Sequence, residues 1–178
     1  MKKLISKKDT IFVLTAIIVI LIDQITKYFG STIGLGKTIP IIPNIFHFTY
    51  QVNPGSSFSM FQGFFWLTFI ASLIVIGAIL YYYNQMPKKL IIPIALILGG
   101  TIGNLIDRIA FDGIVRDFID FQVWPVFNIA DSALVIGAAI LIYYFFKKEY
   151  LDKKKPVSKP ISNTKSIKTK SIKKKSKK

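Results

Sequence analysis

The sequence predicts a mainly α-helical integral membrane protein with four transmembrane helices, and three observations carry that expectation. Of its 178 residues, 52% are hydrophobic and 14% aromatic. A soluble domain of this size has little use for so much apolar matter, whereas lipid-facing positions must themselves be apolar. Apolar runs at about 11–29, 64–83, 90–106 and 127–146 each approach the ~20 residues that a helix needs to cross a ~30 Å hydrocarbon core. The net charge of +15 is confined to the two ends of the chain. Between Thr10 and Phe146, six cations (Lys27, Lys37, Lys88, Lys89, Arg108, Arg116) meet six anions (Asp23, Asp107, Asp112, Asp117, Asp120, Asp131). A fold that bound nucleic acid would not have a neutral body, so no nucleic-acid partner is expected.

The first run opens on lysines like a cleavable signal, but it is too long, and Asp23 and Lys27 stand where small residues would mark cleavage. It is expected to be a retained helix. In the first long loop, alternation over Ile45–Val52 predicts a short strand, and Asn53-Pro54-Gly55-Ser56-Ser57-Phe58 predicts a turn. The third run carries Gly99, Gly100 and Gly103 for close helix packing, with Pro93 in its first turn, where a missing donor is tolerated. Lys2, Lys3, Lys7 and Lys8 precede span one, Lys88 and Lys89 fill the turn between spans two and three, and a lysine-rich tail follows span four. By the positive-inside rule these segments, and hence both termini, are cytoplasmic. Trp66 and Trp124 on the outer side, and Tyr81, Tyr82 and Tyr83 on the inner side, fit interfacial belts. The chain thus divides into a membrane unit, 1–146, and a basic tail, 147–178, whose composition favours disorder and attraction to anionic lipid.

Cysteine is absent and His47 is the single histidine, which excludes thiolate chemistry and leaves no metal-ligand cluster. The acidic residues of the body all lie near the outer ends of spans or in outer loops, and ionisable groups so close to a membrane core mark a site. Asp23 and Lys27, four apart, share a helix face where they can pair; one reading is a structural ion pair or lysine snorkelling to the headgroups, the other a role in holding the outer loop or touching substrate. Asn104, Asp107 and Arg108 share another face, where an Arg108–Asp107 pair anchors the loop and Asn104 satisfies backbone groups. Asp117 closely follows span three and Asp131 opens span four. Consecutive antiparallel helices are usually neighbours, so the two carboxylates can meet, share a proton and act as acid and base on water. A helix-capping Asp131 with a solvated Asp117 is the alternative.

Five segments in order resemble lipoprotein signal peptidase (signal peptidase II): Asp23-Gln24-Ile25-Thr26-Lys27-Tyr28, Asn53-x-Gly55 with Phe58, Gly103-Asn104-Leu105-Ile106-Asp107-Arg108, Asp117-Phe118-Ile119-Asp120-Phe121 and Phe127-Asn128-Ile129-Ala130-Asp131-Ser132. The resemblance implies a four-helix membrane bundle with a small extracytoplasmic β-sheet and a short helix in the first outer loop. It implies an aspartic endopeptidase of the bacterial inner membrane that cleaves prolipoproteins before a cysteine bearing diacylglycerol, without metal or organic cofactor. Asp117 and Asp131 match the catalytic aspartates; Asn104, Arg108 and Asn128 match site-lining residues; Asp23, Lys27, Asn53 and Gly55 match residues that shape the site or face substrate.

Three features depart from the family pattern. Ser56 and Ser57 replace alanines, Arg116 replaces a valine, and Ile109–Asp112 is one residue longer, which makes Asp120 the alternative to Asp117. Rival readings are a Ser132–Lys27 hydrolase, a small transporter, which internal repeats and broken helices would signal, and a non-catalytic scaffold. Partners beyond prolipoproteins and membrane lipid are not implied, and four spans suffice for a monomer.

Overall fold

The computed structural model describes residues 6–54 and 65–153. Four helices are long and apolar enough to cross a membrane: α1 (Lys7–Ser31), α2 (Phe65–Tyr82), α3 (Ile91–Ala110) and α4 (Ile129–Lys153). The apolar runs therefore located all four, but three ends differ: α1 begins at Lys7, four residues ahead of its run, because Ser6 caps it there. α3 continues past Ile106 because Asp107 is buried and paired rather than solvated, and α4 continues past Phe146 into lysine-bearing sequence.

Ser6 and Asp9 start α1 with a reciprocal capping box: the Ser6 hydroxyl accepts from the Asp9 amide and the Asp9 carboxylate accepts from the Ser6 amide. Phe12, Ala16, Val19, Asp23, Lys27 and Gly30 then recur every three or four residues as its buried stripe. Its other faces leave Leu14, Ile18, Leu21 and Ile25 exposed, as a lipid-facing surface requires. α3 lies at the centre, packed against α1, α4 and α2. A Cβ on Gly99 would stand 2.9 Å from the Ala16 carbonyl, and one on Gly100 would overlap the Ala130 carbonyl, so only glycine permits these approaches. Phe12 and Ala16 of α1, Ile79 of α2 and Leu90, Ile91, Ile94, Ala95 and Leu98 at the start of α3 form the core at the lysine-bearing end. Tyr83 packs against the edge of that core: its hydroxyl donates to Asp9, and the Lys8 ammonium sits over its ring. Tyr81 and Tyr82 are exposed as expected, as are Trp66 and Trp124.

At the other end, β1 (Thr38–Ile42), β2 (Phe46–Asn53) and β3 (Val115–Asp120) form an antiparallel sheet in the order β1-β2-β3. The third strand comes from the segment between α3 and α4, not from the first loop, so the sheet staples the two together. The polar and apolar residues of Val115-Arg116-Asp117-Phe118-Ile119-Asp120 do not alternate, so periodicity alone does not mark this strand. Phe118 rests on Gly30, where an added Cβ would stand 2.9 Å from the ring, and this seats β3 against the end of α1. Asp112 (φ 49°) and Gly113 (φ 93°) turn the chain from α3 into β3, with the Gly113 amide donating to the Arg108 carbonyl at 2.8 Å. Of the stretch before Gly113, Ile109 and Ala110 end α3 while Phe111 and Asp112 lie in the turn, and Gln51 pairs with Asp117 across the sheet. Gly55, Ser56, Ser57 and Phe58 lie outside the described residues, as does the tail beyond Lys153. The described part of the first loop contains strands and turns; the remainder of the loop, where a short helix was expected, is also outside the described residues.

Candidate functional site

The aspartate-bearing ends of α1, α3 and α4 meet under the sheet, and nearly every polar side chain there is shielded. Asp23, Lys27, Asp107 and Asn128 are fully buried, and Asn104 and Asp117 nearly so. Buried charges persist only when paired and hydrogen-bonded. Here Lys27 Nζ lies 2.8 Å from Asp23 and 3.5 Å from Asp107, and donates to Asn104 Oδ1 at 2.9 Å. Asp23 and Lys27 therefore form a buried ion pair, and with its ammonium enclosed Lys27 does not snorkel to the headgroups. Asp23 Oδ1 in turn accepts the Ala130 amide at 2.8 Å, tying α1 to the first turn of α4.

Asn128 sits where the two candidate carboxylates meet. Its side-chain carbonyl accepts the Asp131 amide at 2.8 Å while the Asp131 carboxylate takes the Asn128 amide, a reciprocal cap that begins α4. Its side-chain amide donates to Asp117 Oδ1 at 2.6 Å. Asn104 donates to Asp131 Oδ1 at 2.7 Å and accepts from Asn128 at 3.2 Å, so its partners are side chains of the site and not the expected backbone groups. Asn53 Nδ2 donates to Asp117 Oδ2 at 3.2 Å from the end of β2. One chain of amides thus holds Asp117 and Asp131 together. Burial, and then the charge of Asp131, push the Asp117 carboxyl up to about 7, against the lowering effect of its bonds from Asn53 and Asn128.

The pairing of Arg108 with Asp107 does not form. Arg116 takes Asp107 instead, with its Nη2 at 2.8 Å, because β3 delivers its guanidinium directly beside that carboxylate. Arg108 is left with a buried Nε that has no hydrogen-bond partner among the described residues, and it lies within the electrostatic reach of Asp131, Asp117 and Asp107. Two residues of this cluster were missed as contributors. Gln24 was quoted only within its segment, yet it donates to Asp23, the Gly103 carbonyl and Asp107. A glutamine inside an apolar run was its signal. Arg116 was noted only as a departure. Asp120, the alternative to Asp117, has both oxygens engaged by Thr49 Oγ1 and the Gln122 amide, a turn-holding role. Ser132 donates to the Asn128 carbonyl, and Lys27 is occupied elsewhere, so the serine reading has no base to stand on.

Two openings flank the pair. A polar cleft of about 520 Å³ is lined by Gln51, Asn53, Asp117, Asp120, Gln122 and Trp124. An apolar groove of about 410 Å³ passes Asp131 and runs down α4 beside Phe121, Trp124, Phe127, Val135 and Ile136. Trp124 borders both.

A bundle of four membrane-length helices with two joined carboxyls between a polar and an apolar opening has the make-up of a membrane aspartic peptidase. A family profile described as signal peptidase (SPase) II matches residues 15–147. A lipoprotein signal peptidase of Halothermothrix orenii is 42% identical over 139 residues, spanning 76% of this chain and 95% of its own. One from Moorella thermoacetica is 42% identical over 137 residues, spanning 74% and 90%. A solved structure described as a bacterial membrane enzyme superposes with a TM-score of 0.74 at 32% identity, covering 82% of this chain and 93% of that one. The chain belongs to the signal peptidase II family: it is a multi-pass bacterial membrane protein and an aspartic endopeptidase that removes signal peptides from prolipoproteins.

Proposed function

We propose that Asp117 and Asp131 are the catalytic pair, and that the substrate is a prolipoprotein whose cysteine already carries diacylglycerol and is cleaved on its amino side. The observation that carries this reading is the Asn128 side chain, which binds Asp117 and the backbone of Asp131 at once and leaves both carboxyls between the two openings. The polar cleft takes the peptide, while the groove along α4 takes apolar substrate from the bilayer.

Asp117, whose carboxyl is raised to about 7, hydrogen-bonds the scissile carbonyl oxygen through its proton, and its partner Asp131 takes a proton from water. Water oxygen bonds to the carbonyl carbon, the C–N bond then breaks, and the proton passes to the leaving amine. Asn53, Gly55 and Arg108 face the substrate; Arg108 has donor capacity to spare for the developing oxyanion. Asp23, Lys27, Asn104, Asp107 and Asn128 hold the pair in place. The peptidase unit is residues 1–146, followed by the basic tail 147–178, and acts as a single chain. Both termini are cytoplasmic, given the lysines at that end, and the aspartates stand at the extracytoplasmic side.

The test is cleavage of a diacylglyceryl-modified prolipoprotein by the purified protein, followed as a gel shift. Asp117→Asn and Asp131→Asn are expected to lose on the order of 10³-fold in rate, while Asp112→Asn, at the exposed α3–β3 turn, stays active. Normal cleavage by Asp117→Asn sinks the assignment and moves attention to Asp120.

A further inference from the structure

Arg116 immediately precedes Asp117 on β3, so the two side chains leave opposite faces of the strand. Asp117 turns to Asn53 and Asn128, while Arg116 turns into the layer between α1 and α3. There its Nη2 donates to Asp107 Oδ1 at 2.8 Å, its Nε to Oδ2 at 3.1 Å and its own backbone amide to Oδ2 at 2.9 Å. Nη2 also donates to Gln24 Oε1 at 3.0 Å, and the guanidinium lies 4.4 Å from the centre of the Phe111 ring. A planar fork gripped at both prongs and stacked on its face has one geometry, and lysine cannot reproduce it. The strand that carries Asp117 is thereby fastened to the end of α3.

Asp107 is filled in consequence. Its oxygens take Arg116 on both sides and the Gln24 amide at 3.1 Å, with Lys27 at 3.5 Å. Arg108 is the next residue and forms no ion pair with it, and so keeps a buried Nε donor without a partner among the described residues, within the electrostatic reach of the aspartate pair.

We propose that Arg116 is a positioning residue for the peptidase reaction: by clamping β3 to Asp107 it sets where Asp117 stands, and by filling Asp107 it leaves Arg108 to the pair. The proposal rests on the assignment of Asp117 and Asp131 as that pair. The charges around Asp117 are Lys27 from α1, Arg108 from α3, Asp131 from α4 and Asp120 on β3 itself; β2 brings His47 and Tyr50, and α2 brings no Asp, Glu, Lys or Arg.

Two variants separate positioning from plain stability, each measured for kcat, KM and pH–rate profile on the lipidated prolipoprotein. Arg116→Met keeps the stem over Phe111 and removes fork and charge. Arg116→Lys keeps the charge and removes the fork. Both are expected to lose about tenfold or more in kcat, with KM within about twofold of wild type. Arg116→Met also moves the profile to higher pH, because the uncompensated Asp107 charge helps Asp117 keep its proton; Arg116→Lys leaves the profile in place. Wild-type kcat in the lysine variant overturns the proposal. So does a methionine variant whose loss tracks only its smaller folded fraction, with an unmoved profile. Should the methionine variant fail to fold, the kcat of the lysine variant decides. Asp117→Asn in the same assay keeps the two ideas apart: if it cleaves normally the pair itself falls, and if it is dead while both Arg116 variants match wild type, only the positioning role falls.

Discussion

Helices α2 and α3 are both long and apolar enough to cross a membrane, yet 11% of the most apolar stretch of the first is buried against 72% of the second. α2 meets lipid on most sides and needs little beyond hydropathy. α3 touches α1, α2 and α4 and carries Asn104, Asp107 and Arg108 to the site. Lipid tails are as apolar as leucine, so burial inside a bundle is not gained by adding apolar residues. It comes from close backbone approach and from polar side chains that find partners. Gly99, Gly100 and Gly103 provide the first, and the Asp23–Lys27–Asp107–Arg116 cluster provides the second.

The largest way to break that contrast is to add bulk. Gly100→Leu should yield no folded, active enzyme, because even its Cβ would overlap the Ala130 carbonyl on α4, and backbone cannot move aside. Gly77→Leu on α2 has nothing within 4 Å of its Cβ and should keep activity within about twofold. Yield of monodisperse protein in detergent and cleavage rate measure both. Equal tolerance at the two positions would mean that α3 is not the packing centre.

The spans were legible because each needs only a long apolar run, and the glycines of the third run pointed to close helix packing there. The pairings inside the site were harder to read. Periodicity put Arg108 on the face of Asp107, but it could not show that β3 would bring Arg116 to the same carboxylate from nine positions on. That contact depends on a sheet built from two loops, and strand partners far apart in sequence leave no local signal. Asp117 and Asp131 were found as a pair, but their coupling through Asn128 was not, because a cap and a catalytic clamp ask for the same residue at the same place.

The next effect concerns charge. α2 has no Asp, Glu, Lys or Arg between Phe65 and Tyr82, so the pH dependence of the bundle arises elsewhere. The Asp117 carboxyl is raised in the folded state from 3.8 to about 7. Between those values the folded protein holds a proton that the unfolded chain has released. Its contribution to stability is therefore full below about 4 and lost as pH rises toward 7, on the order of 4 kcal/mol at most. Thermal unfolding in detergent from pH 4 to 8 should show this decline in wild type and not in Asp117→Asn. Identical pH slopes in the two proteins would remove Asp117 as its source.

Asn128→Ala sharpens the site half of the contrast at a smaller energy. It takes away a short bond to Asp117 and the side-chain cap of α4 together. Cleavage should fall about 100-fold, some 3 kcal/mol, through misplacement of the pair. The bond lost is one that lowers the Asp117 carboxyl, so the alkaline limb of the rate profile should move up in pH. A profile that stays in place while the rate falls would assign Asn128 to capping alone.

The smallest effect belongs to α2 again. Gly77→Ala adds a methyl group where nothing lies within 4 Å, facing lipid that accepts it without a cavity or a clash. It also trims the freedom of the unfolded backbone slightly, which favours the folded state. The expected change is within about 0.5 kcal/mol, with cleavage unaltered. The same methyl on Gly103 would stand 2.7 Å from Asp23 Oδ2, in the carboxylate that holds both Lys27 and the Ala130 amide. One atom placed on two membrane-length helices should therefore be silent on the first and felt at the Asp117–Asp131 pair on the second. A loss of cleavage with Gly77→Ala would show that α2, for all its exposure, bears on the chemistry after all.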